Sequence, residues 1–441
     1  MRIAKLLGIG LLWAVPGVLL RAQSDSVRIT HVTIHPVTAP EIKNGIVLVE
    51  NGKITQLGTE ISYNGPLLRE VDGHGLDLYP GLINAATNIG LSEISSVRDT
   101  VDLDEIGLFN PELKAQVAYN PSSEHIDVTR ASGITTVMSL PGSGGGGFGR
   151  AAGSGTVITG QGALMHLEGW TWEEAAIKPS AVMDMLFPQI QTVPRQVAAF
   201  LGTQPRTFSE LQKEYKERLR QLRDFFEQAR RYERAKAAGG LDFRSDTKLE
   251  AMIPVIEGKM PIYVRAAKER AIKDAVEFAD KEKVKIIIAD PREIGSTGPL
   301  LKARNIPVVL GKTFQLPLRD DDPYDAPYTL PNDLFKAGVR VCFGTFDVQF
   351  ARNVPFEAAQ AVAFGFPRDE AIRAVTINSA QILGVGDQVG SIEKGKLADL
   401  ILTDGDPLEA KTNIKQMFIA GREVSLESRH TREYEKWMKR E

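Results

Sequence analysis

The sequence predicts an α/β protein, a barrel of eight strands joined to a small composite β-sandwich domain formed by both chain ends. Three observations carry that expectation. Apolar strands alternate with amphipathic helices through the second half of the chain, the pattern of βα units on a parallel sheet. Short β-rich runs separated by turn residues occupy both ends. The 441 residues, 43% hydrophobic and 25% charged, suffice for one large or two ordinary globular domains. Net charge is −3 with acids and bases interspersed, so the chain has no electrostatic footprint for nucleic acid, and small molecules or short peptides fit it better than polyanions.

In chain order, residues 1–22 read as a signal peptide. Arg2 and Lys5 precede an apolar stretch from Leu6 to Leu20, and Leu20-Arg21-Ala22 offers a cleavage site. Pro16-Gly17 interrupts a stretch already short for a span of about 20 residues. Export to the periplasm is therefore expected, with membrane attachment only where the segment is retained. Residues 27–78 supply the first part of the sandwich, in runs at 27–34, 45–50, 53–57 and 70–78, with Asn51-Gly52 as a hairpin signal. Residues 387–426 supply the second part, and 427–441 form a charged tail.

Residues 79–386 form the barrel, with strands expected at 78–85 and 134–140, then at 261–266, 284–289, 307–310 and 339–343. Helices are expected at 268–281, 298–303, 332–337 and 369–383. The last four strands and the helix after them make the closing half of a TIM-like (β/α)8 barrel. Two insertions disturb the first half. Residues 206–238 carry Leu211, Tyr215, Leu219, Leu222, Phe226 and Ala229 near helical spacing and read as a long helix with a solvated charged face, a partner-binding helix being the alternative. Residues 142–155 contain Gly144 to Gly147, with Phe148 and Arg150 the large side chains; they lack the Lys-Ser/Thr ending of a phosphate loop and suit a flexible wall or lid at the barrel mouth. The single cysteine, Cys342, excludes an internal disulfide and reads as a buried apolar residue.

Tyr79-Pro-Gly-Leu-Ile-Asn-Ala-Ala-Thr-Asn-Ile-Gly90, Thr376-Ile-Asn-Ser-Ala-Gln-Ile-Leu-Gly384, Gly390-Ser-Ile-Glu-Lys-Gly-Lys-Leu-Ala-Asp-Leu-Ile-Leu402 and Asp404-Gly-Asp-Pro407 resemble the amidohydrolase superfamily, in its imidazolonepropionase-like branch. The resemblance covers nearly all of the mature chain. It implies a metal-dependent hydrolase in which a His-x-His pair on strand one, a bridging Lys or carboxylate midway, and histidines on strands five and six hold a divalent metal, with an aspartate on strand eight as general base. At the His-x-His positions this chain has Ala86 and Asn88. Alanine has no donor atom, and an amide oxygen is a weak neutral ligand. Strand five brings Arg265, whose guanidinium has no lone pair and repels a divalent cation. Strand six has no histidine; Asp290 follows it, with Arg292 nearby. The bridging position is not assigned. Strand eight is followed by Asp347 at the position of the base, with Arg265 or Arg352 as candidate ion-pair partners.

The histidines do not rebuild a metal site. His31, His35, His74, His125 and His430 read as surface residues, and His166 with Glu168 makes a two-ligand set at best. Trp170, placed near the presumed mouth, and the acidic, tyrosine-containing stretch 316–328 offer pocket walls. The expected site is thus catalytic Asp347 with Arg265, Asn88, Asp290 and Trp170 as substrate-binding residues, no metal ligand and no cofactor. The resemblance implies hydrolysis of a non-peptide or dipeptide C–N bond in a small substrate, weak or metal-independent for lack of the histidines. The alternative is a catalytically inactive, amidohydrolase-like binding protein of the periplasm.

Overall fold

A computed structural model describes residues 26–65, 69–142, 155–190, 206–239 and 243–440; the expected signal peptide and residues 143–154 of the glycine-rich stretch lie outside these. The first five strands, β1 (Val27–Ile34), β2 (Ile42–Glu50), β3 (Lys53–Gly58), β4 (Arg69–Asp72) and β5 (Asp77–Pro80), are followed by eight more. These are β6 (Leu82–Thr87), β7 (Ile134–Ser139), β8 (Ile158–His166), β9 (Ala176–Leu186), β10 (Ile262–Arg265), β11 (Ile286–Ala289), β12 (Val308–Leu310) and β13 (Val341–Phe343). The chain closes with β14 (Leu400–Thr403), β15 (Ile414–Ile419) and β16 (Arg422–Val424).

Both ends of the chain build one sheet, in the order β16-β15-β14-β5-β1-β2-β3, with β4 also on β1. Asn51 and Gly52 both take left-handed φ values, +50° and +77°, and turn β2 into β3. The far edge curls back, because Ile54 N–H donates to Lys396 O and Ala398 N–H to Gly52 O, each at 2.9 Å, just ahead of β14. Ile29, Ile34, Val47, Leu78, Leu400 and Phe418 fill the enclosed core.

The strand expected at 78–85 is divided between two sheets. Pro80 pairs with Leu400 in the terminal sheet, while Leu82 pairs with Ile134 in the barrel. Proline has no N–H for a second ladder, and Gly81 carries the change of direction by donating to Asp399 O at 2.8 Å.

The second sheet runs β6 through β13 in sequence order and nearly closes. Across the seam, the N–H groups of Thr345 and Phe346 both donate to Ala86 O at 2.8 Å. Seven strands are mutually parallel, but β8 is antiparallel to both β7 and β9. The departure falls in the first half of the barrel, which the sequence reads as disturbed by insertions. A parallel step needs a crossover helix, and the 142–155 stretch lacks the periodicity to form one, so the chain returns along the sheet.

The outer layer largely follows the sequence pattern. Glu269–Glu282 buries Ile272, Ala275, Val276, Phe278 and Ala279 on one face. The long helix Phe208–Ala238 starts with a capping box between Thr207 and Glu210. It packs onto that coat through Phe226 against Phe278, with ring centres 5.2 Å apart, and through Arg230 on Glu282 at 2.6 Å. Its polar face is the solvated one. The helix expected at 369–383 is instead Arg368–Ala374 and Ile377–Ile382, broken at Thr376, and the charged tail contains the helix Arg429–Met438.

Candidate functional site

In a barrel of this kind, loops at the C-terminal ends of the parallel strands carry the site. Here those ends present an unbroken sequence of charges. Asp184 lies on β9, Arg265 ends β10, Asp290 follows β11, Lys312 follows β12 and Asp347 follows β13. The signs alternate from strand to strand.

Asp184 is fully buried, and its Oδ1 accepts from Arg265 Nε at 2.9 Å while Oδ2 accepts from Thr159 Oγ1 at 2.5 Å. Arg265 Nη2 also donates to Pro141 O at 3.2 Å, and the guanidinium lies 5.3 Å from the centre of the Phe346 ring. Burial pushes the Asp184 carboxyl upward, opposed by Arg265 and the Thr159 hydroxyl. Arg265 thus sets a cationic side chain directly against the buried Asp184 carboxyl. Around the barrel Lys312 pairs with Asp347 and stands 5.2 Å from the Phe350 ring centre, and Asp347 Oδ1 accepts from Phe350 N–H at 2.9 Å. Neither partner expected for Asp347 is the one observed, because Arg265 is drawn to the more deeply buried Asp184.

The remaining expected residues are placed as follows. Asn88 is buried, and its Nδ2 donates to Leu140 O at 2.9 Å, tying the end of β6 to the end of β7. Ala86 is fully buried against Gly344 at the barrel seam. Asp290 lies at the mouth, its backbone in the left-handed region at φ +50°. Burial raises its carboxyl above the ordinary range, against the pull of Arg265, Arg292 and Lys312.

Trp170 is a correction. It is 89% exposed and follows the end of β8 at which His166 pairs with Thr136, near the start of β7. The antiparallel course of β8 therefore puts it at the end opposite the charges. His166 and Glu168 share no site either: His166 Nε2 bonds Asp399 Oδ2 at 2.9 Å, joining barrel to terminal sheet, while Glu168 pairs with Arg130.

Sequence reasoning missed three residues that shape the mouth. Asp184 occupies the fourth strand, midway through the barrel, and an acid within the apolar run Ala181-Val-Met-Asp-Met-Leu-Phe187 was the available signal for the bridging Lys or carboxylate that the sequence left unassigned. Lys312 was hidden in a short Gly-Lys-Thr connection. Glu357, buried, accepts from Thr313 N–H at 2.5 Å, Thr313 Oγ1 at 2.6 Å and Phe314 N–H at 3.0 Å, and so fixes the turn that carries Lys312. Burial raises its carboxyl.

The metal of the resembling family does not fit these residues. Among the described residues no group of three or more His, Cys, Asp or Glu side chains could hold a metal ion. The chemistry of the donor set gives the reason: methyl, amide and guanidinium stand at three ligand positions, and the Asp184 and Asp347 carboxylates are already committed to cations.

Fold and site define a TIM-like hydrolase barrel whose mouth is ringed by charged side chains. The Amidohydrolase family profile matches residues 329–424. An imidazolonepropionase from Sphingopyxis alaskensis is 48% identical over 50 residues, covering 11% of this chain and 12% of that protein. An N-substituted formamide deformylase from Arthrobacter pascens is 45% identical over 60 residues, covering 14% and 10%. The chain thus matches about a tenth of the length of these curated relatives. An amidohydrolase from Thermotoga maritima is similar throughout, with TM-score 0.75 and 26% identity over 90% of this chain and 99% of that one. The chain belongs to the amidohydrolase superfamily.

Proposed function

We propose that the barrel mouth is a small-molecule or short-peptide site of amidohydrolase type that hydrolyses a C–N bond without a resident divalent metal. One observation carries the reading: Arg265 stands on strand five, where the resemblance implies a histidine ligand, and its guanidinium, held by Asp184, puts a fixed cationic group there. Without metal-lowered water acidity, turnover depends on side-chain acid–base groups and is slow. Family membership supports the reaction class, and the relatives' names, which include a deformylase and an imidazolonepropionase, indicate small C–N substrates. Export to the periplasm is part of the proposal and rests on residues 1–22.

A second reading, ligand binding without turnover, is favoured by the commitment of Asp347 to Lys312 and Phe350 N–H, which leaves the expected base little freedom. Metal analysis of dialysed protein, coupled to a screen of N-acyl amino acids and dipeptides, separates the two. We expect less than one metal per ten chains, and slow turnover that added zinc does not raise. Stoichiometric zinc or manganese would overturn the metal-free site; ligand-induced stabilisation with no turnover would establish the second reading.

A further inference from the structure

Asp290 differs from the other two carboxylates of the mouth. Asp184 and Asp347 each accept hydrogen bonds and pair with a cation. No side chain or backbone group among the described residues hydrogen-bonds the Asp290 carboxylate, which lies between the charges of Arg265, Lys312 and Arg292 and is raised by burial. Its placement is built. The N–H of Asp290 donates to Val309 O at 2.9 Å, and φ of +50° swings the side chain over Gly311, where any Cβ would collide with its Oδ1. Phe346, across the mouth, is also held at φ +53°. Aspartate tolerates this region, whereas for a bulky residue such as Phe346 it persists only where surrounding structure imposes it.

We propose that Asp290 is the general acid–base group of this site, a catalytic residue at the end of strand six. The proposal rests on the hydrolase reading above. The Asp290 carboxylate removes a proton from water as the water oxygen bonds to the substrate's carbonyl carbon. The negative charge that collects on the carbonyl oxygen faces Lys312. Asp290 then returns the proton to the leaving nitrogen as the C–N bond breaks, giving a carboxylic acid and an amine and restoring the carboxylate. A carboxyl held above the ordinary carboxylate range accepts a proton from water more readily than an ordinary carboxylate does, and still returns it to the leaving nitrogen.

The test uses the full chain and the most rapidly turned-over member of the N-acyl amino acid and dipeptide panel. Asp290→Asn preserves shape and tolerates the left-handed backbone, and is expected to lower kcat by about 100-fold or more with KM within threefold. Asp290→Gly also tolerates that backbone and opens space beside Lys312, so added formate should restore part of the lost rate. A structural role would not give formate rescue. Turnover within threefold of wild type in Asp290→Asn would overturn the assignment while leaving the hydrolase reading intact, as would a loss in both variants that formate leaves unchanged. A wild-type protein that binds panel members without hydrolysing any would overturn the hydrolase reading, and this role with it.

Discussion

Arg265→Ala is expected to destabilise the protein by about 3–5 kcal/mol, the usual consequence of leaving one member of a buried ion pair uncompensated. Asp184 is fully buried, and without the guanidinium the Thr159 hydroxyl is the one hydrogen-bond partner left to its carboxylate among the described residues. The carboxyl then takes up a proton, and the sign of the pH dependence follows. A folded-state pKa raised above the unfolded value makes the variant most stable below the unfolded pKa and progressively less stable as pH rises through the folded one. The deficit against wild type should therefore narrow on acidification, which urea unfolding at several pH values would show. Arg265→Met combined with Asp184→Leu removes both charges and should recover most of the loss. A single-variant deficit under about 1 kcal/mol that does not change with pH would mean that water reaches Asp184 and that the pair is not a substitute for a buried cation.

Gly344→Ala is expected to cost about 1–3 kcal/mol or more, because the barrel seam has no volume for a methyl group. A Cβ at 344 would stand 2.6 Å from Ala86 Cβ and 2.7 Å from Ala86 N, and the second of these is backbone that cannot rotate away. The two hydrogen bonds from Thr345 and Phe346 to Ala86 O close the barrel at the same place. Hydrogen exchange should accelerate at those two amides before the rest of the barrel, and thermal unfolding should begin lower. Ala86→Gly in the same chain would relieve the side-chain clash but not the backbone one, so only partial recovery is expected. An unchanged melting temperature in Gly344→Ala would show that the seam breathes enough to admit the added atom. The same crowding bears on the absent histidine: Ala86 is fully buried against Gly344, so Ala86→His alone would not recover a metal ligand.

Sequence pattern reaches some parts of this molecule more readily than others. Strands with a strong apolar run and nearby turn residues, such as β1, β7 and β11, fall within two residues of expectation because burial on both faces or a regular alternation marks them directly. The division at Pro80-Gly81 and the reversal of β8 are decided by which partner strand is available, a tertiary choice that no local window contains. The site divides along the same line. Ala86, Asn88 and Arg265 are readable as lost ligands because each stands at a position a motif defines. The partner of Arg265 is not, since Asp184 and Arg265 are 81 residues apart and meet only because β9 and β10 are neighbours. Trp170 was misplaced for the same reason: its end of the barrel depends on the direction of β8.

The terminal sheet carries a consequence for how the chain matures. β5 pairs with β1 on one side and β14 on the other, so its second edge has no partner until the whole barrel has been synthesised. Until then it exposes an open row of backbone donors and acceptors, which invites pairing with other nascent chains. Chaperone shielding should therefore matter most before residues 400–403 emerge, and truncation upstream of them should send the product to inclusion bodies.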